Sequence, residues 1–151
     1  LNKMFAEHNN VSKTYWAIVQ NRPQTPKGTL THWLTRQEKN NTARAYDREV
    51  PGAKKAVLDY RLIASGERYH LLEIHLHTGR HHQIRAQLSA IGCVIKGDLK
   101  YGAPRSNPDG SISLHARRVE FIHPVSKEPI NITAPAPNDA LWRSFEESAI
   151  L

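Results

Sequence analysis

Across residues 68–77 the side chains alternate without a break, and at Thr78-Gly79 that alternation stops. Leu72, Ile74 and Leu76 fall on one side of the chain, with Leu71, Glu73, His75 and His77 on the other. A period of two sends successive side chains to opposite faces of a strand, whereas a helix repeats every 3.6 residues. Beyond Gly79, Ile84, Leu88 and Ile91 sit at i, i+4 and i+7, which predicts a short helix, and Gly92 supplies its stop. This junction requires a helix to start where a half-buried strand ends.

The rest of the chain repeats the strand signal more often than the helix signal. Residues 13–20 alternate, with Tyr15, Ala17 and Val19 opposite Trp16 and Ile18. Residues 29–35 are rich in β-branched and aromatic side chains, and residues 43–49 read as a short strand. Residues 56–64 alternate again, Val57, Asp59 and Arg61 opposing Leu58, Tyr60 and Leu62. Residues 114–122 and 129–133 read as a closing hairpin. Helical spacing is confined to residues 1–9, the segment after Gly79, and residues 139–148. Many strands and few helices predict an α+β domain with a mostly antiparallel sheet.

A chain of 151 residues, 39% hydrophobic and 23% charged, suits one globular domain. No apolar run approaches the roughly 20 residues of a membrane-spanning helix. The start, Leu1-Asn2-Lys3-Met4-Phe5, lacks a secretory leader pattern and an initiator Met, so the sequence is expected to begin inside a longer protein. Cys93 is the one cysteine, and a reducing cytoplasm is the expected compartment. The net charge of +7 suits either a polyanionic partner or an ordinary solvated basic surface.

The densest chemistry lies in His77-Thr78-Gly79-Arg80-His81-His82-Gln83-Ile84-Arg85. Arginines at a helix start can hold a phosphate or pair with a buried carboxylate. The plainer alternative is a basic helix start with solvated side chains. His70, His75, His77, His81, His82 and Cys93 invite comparison with a zinc site. No paired Cys and no His-Glu-x-x-His spacing accompanies them, and strand alternation alone accounts for the cluster.

The order of several short segments is more specific. Thr78-Gly79-Arg80-His81-His82-Gln83-Ile84-Arg85, then Ile91-Gly92, then Gly97-Asp98-Leu99-Lys100-Tyr101-Gly102, resembles the signature of the RluA-type RNA pseudouridine synthases. Leu114-His115-Ala116, Phe121-Ile122-His123-Pro124 and Ala134-Pro135-Ala136-Pro137 resemble that family's closing segments. Lys13-Thr14-Tyr15 with Ala17 resembles its K-x-Y-x-A strand. His81 replaces the usual Ser or Thr, and Gln87 stands where a His is common.

The resemblance implies a uridine flipped out of its RNA, attacked by an aspartate and rejoined through carbon, with no metal or organic cofactor. It implies that Tyr15 stacks on the uracil and that Arg85 pairs with the attacking aspartate. Arg80, Gln83 and Leu114 are expected at the substrate, Leu114 as an apolar wall. Lys96, Lys100, Arg105, Arg117 and Arg118 are expected to track RNA phosphates. Read without the family, Tyr15 and Leu114 are as well explained as core, and each cation as solvated. The family's H-R-L-D motif has no counterpart, since only 12 residues precede Lys13 and none of Asp47, Asp59, Asp98, Asp109 or Asp139 has that context. Asp98 reads as a turn former with its side chain on nearby backbone.

The expectation is therefore the C-terminal part of a catalytic domain, acting on ribosomal RNA sooner than tRNA. A non-catalytic RNA-binding remnant is the alternative, and a zinc hydrolase a third. A sheet lacking its neighbours predicts exposed edges and self-association.

Overall fold

The computed structural model describes residues 11–122, 125–137 and 139–150. It contains strands β1 (Val11–Val19), β2 (Lys27–Gln37), β3 (Thr42–Tyr46), β4 (Lys54–Ser65) and β5 (His70–Leu76). Helix α1 (Gln83–Ala90) and a 3-10 turn (Leu99–Tyr101) follow, then β6 (Leu114–Ile122), β7 (Pro129–Thr133) and helix α2 (Ala140–Ile150). The strands form one sheet in the order β3-β2-β4-β5-β1-β6-β7, and every adjacent pair is antiparallel.

The alternation read from the sequence assigns the two faces. Ala17, Val19, Leu58, Tyr60, Leu72 and Ile74 cluster with Ile84 and Leu88, so α1 covers that face. Trp16, Ile18 and Leu71 cluster with Trp142 and Phe145, so α2 covers the other. Leu58, Leu71, Leu72, Ile74 and Leu88 are fully buried. Each such side chain contributes about 1.5–3 kcal/mol relative to exposure. A third cluster joins Ala86 of α1 to Leu34, Ala43 and Ala56, fixing the helix over the β2–β3 hairpin.

The expected elements are present, with shifts at their ends. β2 runs to Gln37 because Thr35, Arg36 and Gln37 pair with β3. The hairpin closes at Asn41, whose φ of 52° is a conformation asparagine tolerates better than most residues. β3 ends at Tyr46, short of the expected Glu49, because Asp47-Arg48-Glu49 are exposed and leave the sheet edge. Gly92 follows α1 at φ 83°, and the Cys93 N–H reaches back to the Leu88 carbonyl, which is the expected glycine stop. The helix expected over residues 1–9 lies outside the described residues. The sheet edges are β3 and β7, and Leu99, Val125 and Ile132 are large exposed hydrophobics among the described residues.

Candidate active site

Arg85 projects from α1 onto Asp98. Its Nε and Nη2 donate to the two carboxylate oxygens at 2.9 and 2.7 Å, a bidentate pair on one edge of the guanidinium. The Asp98 side chain is 1% exposed and that of Arg85 18%. The bond to Asp98 pushes the Arg85 pKa further up. The reading of Asp98 as a local turn former is corrected here. Its backbone carbonyl makes the turn, accepting from Tyr101 and Ala103, while its carboxylate leaves the turn for the helix. Gly97 positions it: at φ 86°, a Cβ there would lie 2.7 Å from the Asn107 side chain.

Two further contacts hold the guanidinium. Nη1 lies 3.2 Å from His82 Nε2, and the Arg85 Cζ sits 4.9 Å from the Tyr101 ring centroid. His82 Nδ1 lies 2.8 Å from the Tyr101 hydroxyl, which also accepts the Ala43 N–H at 2.7 Å. Arginine can only donate, so the network assigns His82 Nε2 as acceptor and Nδ1–H as donor to Tyr101. That is a neutral imidazole. Burial first, then the Arg85 charge beside it, lower the His82 pKa to about 4. His82 also caps α1 in a left-handed conformation, φ 52°, which these side-chain bonds help to hold. Burial raises the Tyr101 pKa. Of the five guanidinium N–H groups, three are engaged and two have no partner among the described residues.

Tyr15 and Leu114 are half-buried and pack against the core cluster that Ile84 and Leu88 complete, so they share the α1 face of the sheet. Ala116 and Leu114 of β6 lie opposite Tyr15 and Ala17 of β1. The aromatic ring that Arg85 meets is Tyr101, a residue the sequence showed only as part of the Gly97–Gly102 segment. Gln83 is 2% exposed. Its carbonyl accepts from Thr78 Oγ1 and the Arg80 N–H, and its amide donates to the Val57 carbonyl. The expectation that Gln83 meets substrate is thus corrected: its amide is spent tying the 78–82 loop to β4. Arg80 is exposed, donates from Nε to the Lys55 carbonyl at 2.8 Å, and does not share a site with Arg85.

The expected phosphate track divides between the faces. Lys100 and Arg105 are exposed around the turn after Asp98. Lys96 turns the other way, bonding Asn107 and approaching the Tyr69 ring. Arg117 is only 13% exposed, lies 4.2 Å over Trp16 and pairs with Glu146. A register shift between Thr14 and Tyr15 sets Arg118 opposite Thr14, and Arg118 bonds Asn131 and Glu120. Lys96, Arg117 and Arg118 therefore each have a partner within the protein.

The histidine-rich strand is also occupied. His77 bonds Asp59 at 2.8 Å, and His75 lies between Thr14 and Glu73. Burial opposes ionisation of Glu73, but bonds from Arg61 and His75 outweigh it and lower its pKa. Among the described residues no three His, Cys, Asp or Glu side chains converge as a metal site.

The sequence profile described as RNA pseudouridylate synthase matches residues 1–90. An RNA pseudouridine synthase of Bacillus subtilis, YhcT, is 37% identical over 135 residues, covering 88% of this chain and 43% of that protein. The ribosomal large subunit pseudouridine synthase D of Zymomonas mobilis is 33% identical over 143 residues, covering 89% of this chain and 44% of that protein. The chain thus spans under half the length of these two relatives. The solved human RNA Pseudouridylate Synthase Domain Containing 1 shares the fold, with a TM-score of 0.72 and 22% identity over 95% of this chain and 61% of that one. Motif order, a profile over the first 90 residues and relatives above 30% identity agree that the chain belongs to the RNA pseudouridylate synthase family, in its RluA-type branch.

Proposed function

We propose that this chain is the C-terminal part of the catalytic domain of an RNA pseudouridine synthase, and that Arg85 orients the attacking carboxylate. The observation that carries the reading is the guanidinium itself. It is fixed by Asp98, His82 and the Tyr101 ring, and it retains two uncommitted N–H donors. An arginine so held can present a second carboxylate in its ionised form, since a nearby cation favours the charged acid. Asp98 is a poor nucleophile, because both its oxygens face the guanidinium and the side chain is buried. The attacking aspartate is assigned to the portion of the relatives' length that this chain does not span.

Tyr15 and Leu114, on the same sheet face as α1, then flank a uridine flipped from its strand. The Zymomonas relative's name favours ribosomal RNA over tRNA. Cytoplasmic location and pairing of copies through the open β3 or β7 edges complete the proposal. The chemistry assigned to the uridine needs no cofactor.

The test is pseudouridine formation by the full-length protein. Arg85→Ala is expected to abolish turnover while RNA binding stays within a few-fold of wild type. Arg85→Lys, which keeps a charge for Asp98 but loses the planar fork, is expected to melt near wild type and still lose at least about 100-fold in turnover. The isolated 151-residue chain is expected to bind RNA without converting uridine. Normal turnover by Arg85→Lys, or conversion by the isolated chain, would overturn the assignment.

A further inference from the structure

A second basic feature lies beside the 78–82 loop, separate from the Arg85 pair. Arg36 of β2, Lys54 of β4, Arg80 and His81 border a cleft of about 280 Å³, whose wall also includes Leu34, Thr35, Ala43 and two glycines. No carboxylate lines it. Arg80 is held by its Nε–H to the Lys55 carbonyl, which fixes the guanidinium plane and leaves its terminal nitrogens uncommitted. Arg36 and Lys54 are exposed and make no side-chain hydrogen bond or ion pair among the described residues. His81 stacks on His82 at 4.0 Å, and its Nε2 is buried without a partner. A buried ring nitrogen left unsatisfied at a cation-lined wall marks a place where a polar group is missing.

We propose that this cleft binds one phosphodiester group of the RNA strand, an inference that rests on the RNA-directed reading above. Three cations, of which Arg80 is tethered, border the cleft without an acid and cannot neutralise one another, so the site favours an anion. A planar guanidinium matches two non-bridging phosphate oxygens, and the ammonium of Lys54 adds a point charge. The volume is below the roughly 300–1,000 Å³ of pockets that enclose whole small molecules. It suits a phosphate and its flanking atoms. The cleft borders the loop that leads into α1, and Arg80 precedes Arg85 by five residues in sequence.

Two measurements test it on the purified protein. In the first, dimethyl phosphate (a diester monoanion) and inorganic phosphate are titrated while the ring ¹⁵N signals of His81 are followed. Dimethyl phosphate is expected to shift them in wild type and not in the Arg36→Gln/Lys54→Gln double variant. In the second, RNA affinity is measured against salt. The double variant is expected to flatten the slope of log K against log[salt] by about 0.7, the value for loss of one single-strand phosphate contact. Silence of His81 to both phosphates overturns the site, even if RNA binds normally. A response to inorganic phosphate alone, or an unchanged salt slope, overturns the diester assignment in favour of a free phosphate. If wild type binds no RNA at all while dimethyl phosphate still shifts His81, the RNA reading fails and the diester chemistry stands. Both substituted side chains are exposed, so the variants are expected to melt like wild type.

Discussion

Arg85 and Arg117 lie on opposite faces of the sheet, and each lays its guanidinium over an aromatic ring while bonding a carboxylate. Arg85 sits over Tyr101 and holds Asp98; Arg117 sits over Trp16 and holds Glu146. Their surroundings differ. Arg117 also donates to the Ala134 carbonyl, and Glu146 accepts the Ala136 N–H, so the pair staples the 134–137 segment and α2 to β6. That N–H first, and Arg117 second, lower the Glu146 pKa. Glu146 is 23% exposed, so water shares the work of solvating it. Asp98 is 1% exposed and has one cation to itself.

Burying a carboxylate against a single cation gains little stability over an apolar pair of the same shape. The Arg117 pair is explained by packing. The Arg85 pair is not, and what it secures is orientation: a guanidinium held on one edge, on one face and at Nη1, with donors to spare.

Removing the acids gives the largest contrast. Asp98→Ala strands a half-buried arginine and is expected to cost about 3–5 kcal/mol in urea unfolding, the range for breaking a buried pair. Asp98→Asn keeps the shape and separates stability from positioning. It is expected to stay folded at assay temperature and lose at least about 100-fold in kcat with KM little changed. Glu146→Gln is expected to lower Tm slightly and leave kcat alone. Equal kcat losses at Asp98 and Glu146 would erase the distinction between the two arginines.

A smaller effect is expected at the Tyr101 hydroxyl, which has no counterpart on the Trp16 side. Tyr101→Phe keeps the ring under Arg85 but leaves the Ala43 N–H and His82 Nδ1–H without their acceptor, at a cost of about 1–3 kcal/mol. If the hydroxyl positions Arg85 through His82, kcat falls while KM holds. His82→Gln, which can still offer Arg85 an acceptor, is expected to retain more turnover than His82→Phe. Equal activity of the two His82 variants would reduce His82 to a cap of the helix.

The same contrast shows which physics was legible in the chain. Face assignment needed only a period of two, so Tyr15, Ala17 and Leu72 fell opposite Trp16, Ile18 and Leu71 as read. The β6–β7 hairpin was bounded correctly because turn chemistry is local. The Asp98 partner was not legible, because the sequence offers a local role for an aspartate in a turn and the true partner lies 13 residues away across a helix. The intramolecular partners of Arg117 and Arg118 were not legible for a related reason. The register shift opposite Thr14 and Tyr15 breaks simple alternation, and nothing in the sequence marks Arg117 as a lid on Trp16. Tyr101 was visible as a motif letter, but its ring contact depends on how the 3-10 turn folds back over α1.

Acid titration gives the smallest effect and bears on the His82 tautomer alone. In the folded protein the His82 pKa is lowered to about 4 from an ordinary 6.5. Between those values the unfolded chain binds a proton that the folded one refuses, so stability rises with pH across the window and is lost as pH falls from 6.5 towards about 4. Burial lowers the pKa of His32 and His70 with the same sign, so the wild-type curve alone is not diagnostic. The readout is the difference between wild type and His82→Phe, whose Tm is expected to fall less over that interval. Should His82→Phe and wild type lose Tm in parallel down to pH 4, His82 is not held neutral in the folded protein, and its Nε2 does not accept from Arg85.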